Sequence, residues 1–220
     1  MIVVAAIFME AILAFQYEYA RKQLEVELEH SSLMDLTTSS LHVQEVLSKA
    51  EVAVSNHVVH AEQNLDNPAY LTNIITSLLE NDYESLTGAF MCFKPNFYPS
   101  KGYWYEPYGR EAGDSIEIIQ LGSEQHDYTH REFFQTIMNG NIAEWSDPYY
   151  DPDGAHAWVL SYAIPIHQNG QPIGALGVDL TTEWINDVVN HYHPHPSSFC
   201  IVLSGNGALI SAPADTTASQ

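Results

Sequence analysis

Arg131 stands in the run HDYTHREFF (126–134), between a histidine and a pair of phenylalanines one residue on. A planar guanidinium can grip a ligand carboxylate through two parallel hydrogen bonds, and the adjacent rings could wall a pocket. The same group could instead pair with one of the chain's many acidic side chains. Asp179 closes the apolar run GALGVD just before a helix start. A carboxylate there can point into a cleft and receive a ligand ammonium, or can serve as a helix cap or dipole partner. Asp151 follows WSDPYY and precedes Pro152-Asp153-Gly154. D-P-D-G could hint at a calcium loop, but the rest of the EF-hand pattern, including its twelfth-position ligand, is missing, and a tight turn explains the run better. His191, His193 and His195 alternate with two prolines, which prevent the i, i+4 helical spacing of a zinc protease. The chain has no H-E-x-x-H, G-x-S-x-G, Walker loop or G-x-G-x-x-G. The expectation is a binding protein with no catalytic centre, metal or cofactor.

Composition narrows the partners. The 220 residues carry 28 Asp and Glu against 7 Lys and Arg, a formal net charge of −21. That balance excludes a nucleic-acid binder, which needs a dense basic surface, and works against steering to anionic lipid. Cys92 and Cys200 are too few for a disulfide framework or a four-cysteine zinc site, and both read as small buried hydrophobes.

The elements that must position these groups follow from periodicity. Met1–Phe15 is apolar apart from Glu10; extended to Ala20 it is about one bilayer long, and Arg21-Lys22 follow. With no basic residue before it and no A-x-A-like site after it, an uncleaved anchor fits better than a signal peptide or a buried core helix. The positive charges lie on the unexpected flank, which suggests truncation of the N-terminus. From Tyr17 to about His60 there is no Gly or Pro, and Leu24, Leu28, Leu36, Val43, Val46, Leu47, Ala50, Val54 and Val58 recur at helical steps. This predicts one long stalk helix, or alternatively two stacked helices bent near Thr37–Ser40. Ala69–Glu80 reads as a second helix after the Asn67-Pro68 turn. Thr87–Lys94, Gly102–Tyr108, Ser115–Leu121, Trp158–Ile166 and Pro172–Leu180 read as strands, the last two joined by an Asn169-Gly170 hairpin turn. Thr129–Asn139 reads as a helix stopped by Gly140, and Thr181 or Thr182 caps a helix over EWINDVVNHY. Phe199–Leu203 and Ala208–Ser211 suggest a further hairpin, marginal alone, hence the start of a second sheet whose remainder is missing. The fold class is α+β, an antiparallel sheet with helices packed on it.

The segments FKPNFYPSKGYWYEPY, DYTHREFF, WSDPYYDPDG, SYAIPI and IGALGVDL, in this order and spacing, resemble double Cache sensor domains. These are extracytoplasmic ligand-binding modules of bacterial chemoreceptors, sensor kinases, cyclases and regulatory phosphatases. The resemblance implies a long N-terminal helix carrying PAS-like modules. It implies a membrane anchor over 1–20, stalk and second helix over 21–82, a membrane-distal module over 83–190 and the start of a membrane-proximal module over 191–220. Some members bind amino acids through Tyr-x4-Arg-x-Trp-Tyr, a Tyr-x-Asp step and a later Asp. Arg131 matches the arginine that grips the carboxylate, Tyr149 and Asp151 the Tyr-x-Asp step, and Asp179 the aspartate that receives the amino group. His126, Phe133 and Phe134 replace the first tyrosine, the tryptophan and the second tyrosine, which removes three polar contacts. The implied function is an inner-membrane receptor with its sensor region in the periplasm. A small amino acid, amine or carboxylate is held by Arg131 and Asp179 and walled by Trp104, Phe133, Phe134, Trp145 and Tyr149, within a homodimer. The competing readings are a secreted carbohydrate- or peptide-binding module and a metal-dependent hydrolase.

Overall fold

The computed structural model describes residues 2–80, 85–113, 115–191 and 199–212. His193, His195 and the tail from residue 213 therefore lie outside the described residues. Helix α1, Ile2–Gln63, is continuous over 62 residues, roughly 90 Å at 1.5 Å per residue. The helix runs unbroken through 37–40, where the Thr37 and Thr38 hydroxyls donate to the carbonyls of Leu33 and Met34 at 2.7 and 2.9 Å, so the two-helix alternative is not realised. Its first half is exposed; burial concentrates on Ala50, Ala53, Val54 and Ala61, small side chains that let the helix lie close to the sheet. Helix α2, Pro68–Glu80, begins with proline at its first position, and the Asn67 side chain accepts the Tyr70 N–H at 3.2 Å.

The sheet contains β1 (Leu86–Phe93), β2 (Pro107–Ala112), β3 (Ser115–Gln120), β4 (Glu144–Trp145), β5 (Tyr149–Asp151), β6 (Ala157–Gln168) and β7 (Gln171–Thr181). Its order is β3-β2-β1-β7-β6-β4, with β5 also paired to β6 and every pairing antiparallel. Asn169 and Gly170 both take positive φ, 53° and 75°, as the β6–β7 hairpin turn requires. The expected strand at Gly102–Tyr108 is corrected: strand pairing starts at Pro107. Tyr105 is buried and stacks on Phe93 at 5.7 Å, and the segment before Pro107 makes only isolated backbone bonds, Phe93 N–H to the Tyr105 carbonyl and Asn96 N–H to the Tyr103 carbonyl, both at 3.2 Å. Helix α3, Glu132–Gly140, follows a 3-10 turn at Tyr128–His130, and Asn141 in the left-handed conformation ends it one residue beyond the expected glycine. Helix α4, Thr182–His191, is capped by Thr181 Oγ1, which accepts the Trp184 N–H at 3.2 Å. Strands β8 (Val202–Leu203) and β9 (Leu209–Ser211) form a separate hairpin, and Ser211 Oγ donates to Asn186 of α4 at 2.7 Å. Cys92 is buried as expected, whereas Cys200, beside this hairpin, is partly exposed.

Alternation along the central strands makes two cores. Met91, Phe93, Ile164, Ile166, Leu176, Val178 and Leu180 pack with α1 and α2. Phe90, Cys92, Tyr108, Ala163 and Ala175 face the other way, toward Tyr128, Phe134 and Ile137. The second face carries the candidate site.

Candidate ligand-binding site

Strand β7 brings Asp179 onto that second face, in register with Gly88 of β1 and Ser161 of β6. It is fully buried, and two hydroxyls donate to it: Ser161 Oγ to Oδ1 at 2.5 Å and Tyr108 Oη to Oδ2 at 2.8 Å. Tyr149 Oη stands 2.8 Å from Ser161 Oγ and extends the chain toward the surface. Burial raises the Asp179 pKa to about 6, although both hydroxyls oppose the shift; the nearby Asp151 adds to it.

Tyr108 reaches Asp179 from β2 by passing over β1, which is possible because position 88 is glycine. A Cβ there would lie 2.0 Å from the Tyr108 hydroxyl oxygen and 2.5 Å from Cζ. Gly88→Ala is therefore expected to expel the tyrosine and destabilise the fold by about 1–3 kcal/mol, measured as a lowered urea midpoint. An unchanged midpoint would contradict the contact.

Asp151 ends β5 and is buried; its carboxylate accepts the N–H groups of Asp153, Gly154 and Ala155 at 3.4, 3.2 and 2.7 Å. The D-P-D-G run is thus the tight turn the sequence indicates. Glu106, just before β2, is buried, and its Oε2 accepts no hydrogen bond. Burial pushes its pKa well up; Arg131 opposes, while Asp179 and Asp151 add to the shift. His126 bridges this region, with Nδ1 2.9 Å from Asp153 Oδ2 and Nε2 3.6 Å from Glu106 Oε2. Arg131 sits at the N-cap of α3, half-buried, and its guanidinium has no hydrogen-bond or ion-pair partner among the described residues. Among the described residues no acidic side chain lies within ion-pair distance of it, although its charge acts on Glu106.

Arg131, Asp179, Asp151, Glu106 and His126 line one hollow, closed by Phe90, Tyr108, Leu121, Phe133 and Tyr149. Its free volume is about 20 Å³, room for about one water. Arg131, Phe133 and Tyr149 also line an outer groove of about 380 Å³ with Thr136, Trp145 and Pro148. The two spaces therefore meet at these three side chains.

Residues 71–187 match the family described as methyl-accepting chemotaxis protein-like, first PDC sensor domain. The chain belongs to this family. The methyl-accepting chemotaxis protein PctB of Pseudomonas aeruginosa is 26% identical over 88 residues, covering 40% of this chain and 14% of that protein. This PDC sensor domain chain therefore spans about one seventh of the curated relative's length. Among solved structures, a methyl-accepting chemotaxis protein X superposes with TM-score 0.70 at 18% identity, covering 86% of this chain and 74% of that one. The ligand-binding domain of Pseudomonas aeruginosa PctB in complex with L-Gln superposes with TM-score 0.59 at 19% identity, covering 82% and 66%. The shared architecture is a long N-terminal helix followed by an antiparallel α+β sensor module. The N-terminal part of α1 is long and apolar enough to cross a membrane, and none of it is buried. The family is one of sensor domains, and with the apolar N-terminal helix it supports an inner-membrane protein whose sensor region is extracytoplasmic. Among the described residues no group of three or more His, Cys, Asp or Glu is placed to hold a metal ion.

Within this PDC sensor domain, Arg131, Asp179, Asp151, Tyr149, Phe133 and His126 line the same hollow. Two expected wall residues, Phe134 and Trp104, are placed elsewhere, and a third lines the groove alone. Phe134 turns into the core, 5.2 Å from Tyr128, because α3 sends successive side chains to different faces. Trp104 packs beside that core and against Tyr103 at 4.7 Å, lining neither space. Trp145 lines only the outer groove, and its indole N–H donates to Glu51 of α1 at 2.8 Å. The sequence reading omits Glu106, Tyr108, Phe90 and Leu121. The signal for Glu106 and Tyr108 was their period-two spacing in Tyr105-Glu106-Pro107-Tyr108, which puts both on one face of an extended segment.

Proposed function

We propose that the hollow and groove form the receptor's ligand site, taking a small molecule that bears both a carboxylate and an ammonium group. The observation that carries this reading is the unpaired Arg131 guanidinium in the same hollow as the buried Asp179. Arg131 would clamp the carboxylate; Asp179, held by Tyr108 and Ser161, would accept the ammonium, with Tyr149 and Asp151 beside it. Related sensor domains are described in complex with L-Gln and with GABA, both of which carry these two groups. Because the free volume is small, entry requires outward movement of Arg131 and Phe133 at the start of α3. Binding then biases the receptor to the extent that the occupied arrangement of α1 differs in affinity from the empty one, within the proposed homodimer.

The test is a thermal-unfolding screen of the whole chain in detergent micelles with amino acids, simple amines and organic acids. Compounds with both groups are expected to raise the midpoint, by an amount equivalent to about 2.7 kcal/mol at one hundred times Kd. Stabilisation by none of the three classes would overturn the reading.

A further inference from the structure

We propose that Glu106 is a specificity-determining residue that favours ligands with a second positively charged group, such as short diamino acids, over simple zwitterions. This deepens the reading of the hollow given above and rests on it. Three carboxyl groups, Glu106, Asp151 and Asp179, line a space whose one guanidinium is Arg131. Two of the three already have donors. Asp151 accepts three backbone N–H groups, and Asp179 accepts two hydroxyls. Glu106 differs: it is 3% exposed, and Oε2 accepts no hydrogen bond. His126 does not fill that role, since its Nε2 stands 3.6 Å away while Nδ1 is engaged with Asp153 at 2.9 Å.

A buried carboxyl oxygen without a donor costs free energy that a donor on the ligand restores. A zwitterion satisfies Arg131 and Asp179 and leaves Glu106 uncompensated. A ligand with a further ammonium completes the set, and its positive charge offsets the excess of carboxyl groups. The raised pKa of Glu106 agrees: burial and the two neighbouring aspartates outweigh the opposing Arg131, so a further positive charge beside Glu106 is favoured. The small free volume favours a short spacer between the two charges.

The experiment is titration calorimetry of the whole chain in micelles, with three matched pairs. These are L-2,4-diaminobutyrate against L-2-aminobutyrate, L-ornithine against L-norvaline, and L-lysine against L-norleucine, on wild type and Glu106→Gln. At least one diamino acid is expected to bind tenfold or more tightly than its neutral partner. Glu106→Gln is expected to reduce that ratio to within about threefold. Equal binding within every pair on wild type would overturn the inference and leave the amino-acid site standing. So would a preference that survives Glu106→Gln, the result expected of a purely structural buried acid. If none of the six compounds binds wild type, this inference falls, and the amino-acid site is decided by the unfolding screen above. The wild-type ratios alone decide the matter if the variant does not fold.

Discussion

Arg131→Ala is expected to abolish measurable binding of any carboxylate-bearing ligand while lowering the unfolding midpoint by only a few degrees. The two halves of this outcome come from one observation. Because the guanidinium has no hydrogen-bond or ion-pair partner among the described residues, its removal breaks no such bond and costs only its longer-range attraction to Glu106. The same freedom leaves all its donors available to a ligand, so truncation forfeits the whole bidentate contact. Removing one member of a buried, hydrogen-bonded charge pair costs about 2–5 kcal/mol, or roughly 30- to several-thousand-fold in affinity. Arg131→Lys should recover only part of the loss, since an ammonium cannot reproduce the planar fork. Calorimetric titration against unfolding of the same samples checks both halves. A variant that unfolds early would mean that Arg131 holds the scaffold, and one that binds as wild type would move the site elsewhere.

Asp179→Asn should separate stability from recognition. A carboxyl whose pKa rises from 3.8 unfolded to about 6 folded binds its proton more tightly in the native state. Its stabilising contribution is present below pH 3.8 and is lost as pH rises through 6. At pH 7.5 the buried anion therefore costs up to about 3 kcal/mol. Asn keeps the shape, accepts one hydroxyl and donates to the other, and carries no charge to desolvate. The variant should unfold later than wild type at pH 7.5 and lose that advantage near pH 5. Its affinity for an ammonium ligand should fall at least tenfold at pH 7.5. Wild-type affinity should itself weaken below about pH 6, by at most tenfold per unit, as Asp179 takes up its proton. Parallel unfolding and titration series at pH 5, 6 and 7.5 test this. A variant less stable than wild type at pH 7.5 would contradict the sign.

The architecture was legible where one local signal sufficed. The Gly- and Pro-free stretch gave the long helix, Asn169-Gly170 the hairpin, and Thr181 the cap, each a matter of neighbouring residues. Arg131 and Asp179 were legible as chemistry because cations are scarce in this chain. Their meeting depended on sheet register, which places Asp179 beside Ser161 and Gly88 and which no short run of sequence specifies. Tyr108 and Glu106 were missed because they sit among aromatic residues that read as ordinary strand. Phe134 and Trp104 were overestimated for the converse reason: an aromatic ring beside a site residue in sequence fills the core as readily as it walls a ligand.

The bond from Trp145 to Glu51 gives the groove a handle on the stalk. Any molecule that shifts that indole pulls on a carboxylate thirty residues along α1 from Arg21, about 45 Å at 1.5 Å per residue. A continuous hydrogen-bonded helix resists compression, so displacement at one end cannot be absorbed between. His167, on β6, grips Glu62 of the same helix with both its backbone N–H and its ring, each at 2.8 Å. In the proposed receptor these two hydrogen bonds, beside the apolar packing of Ala50, Ala53, Val54 and Ala61, tie the sheet to the rod, so that displacing them unequally would turn or slide it.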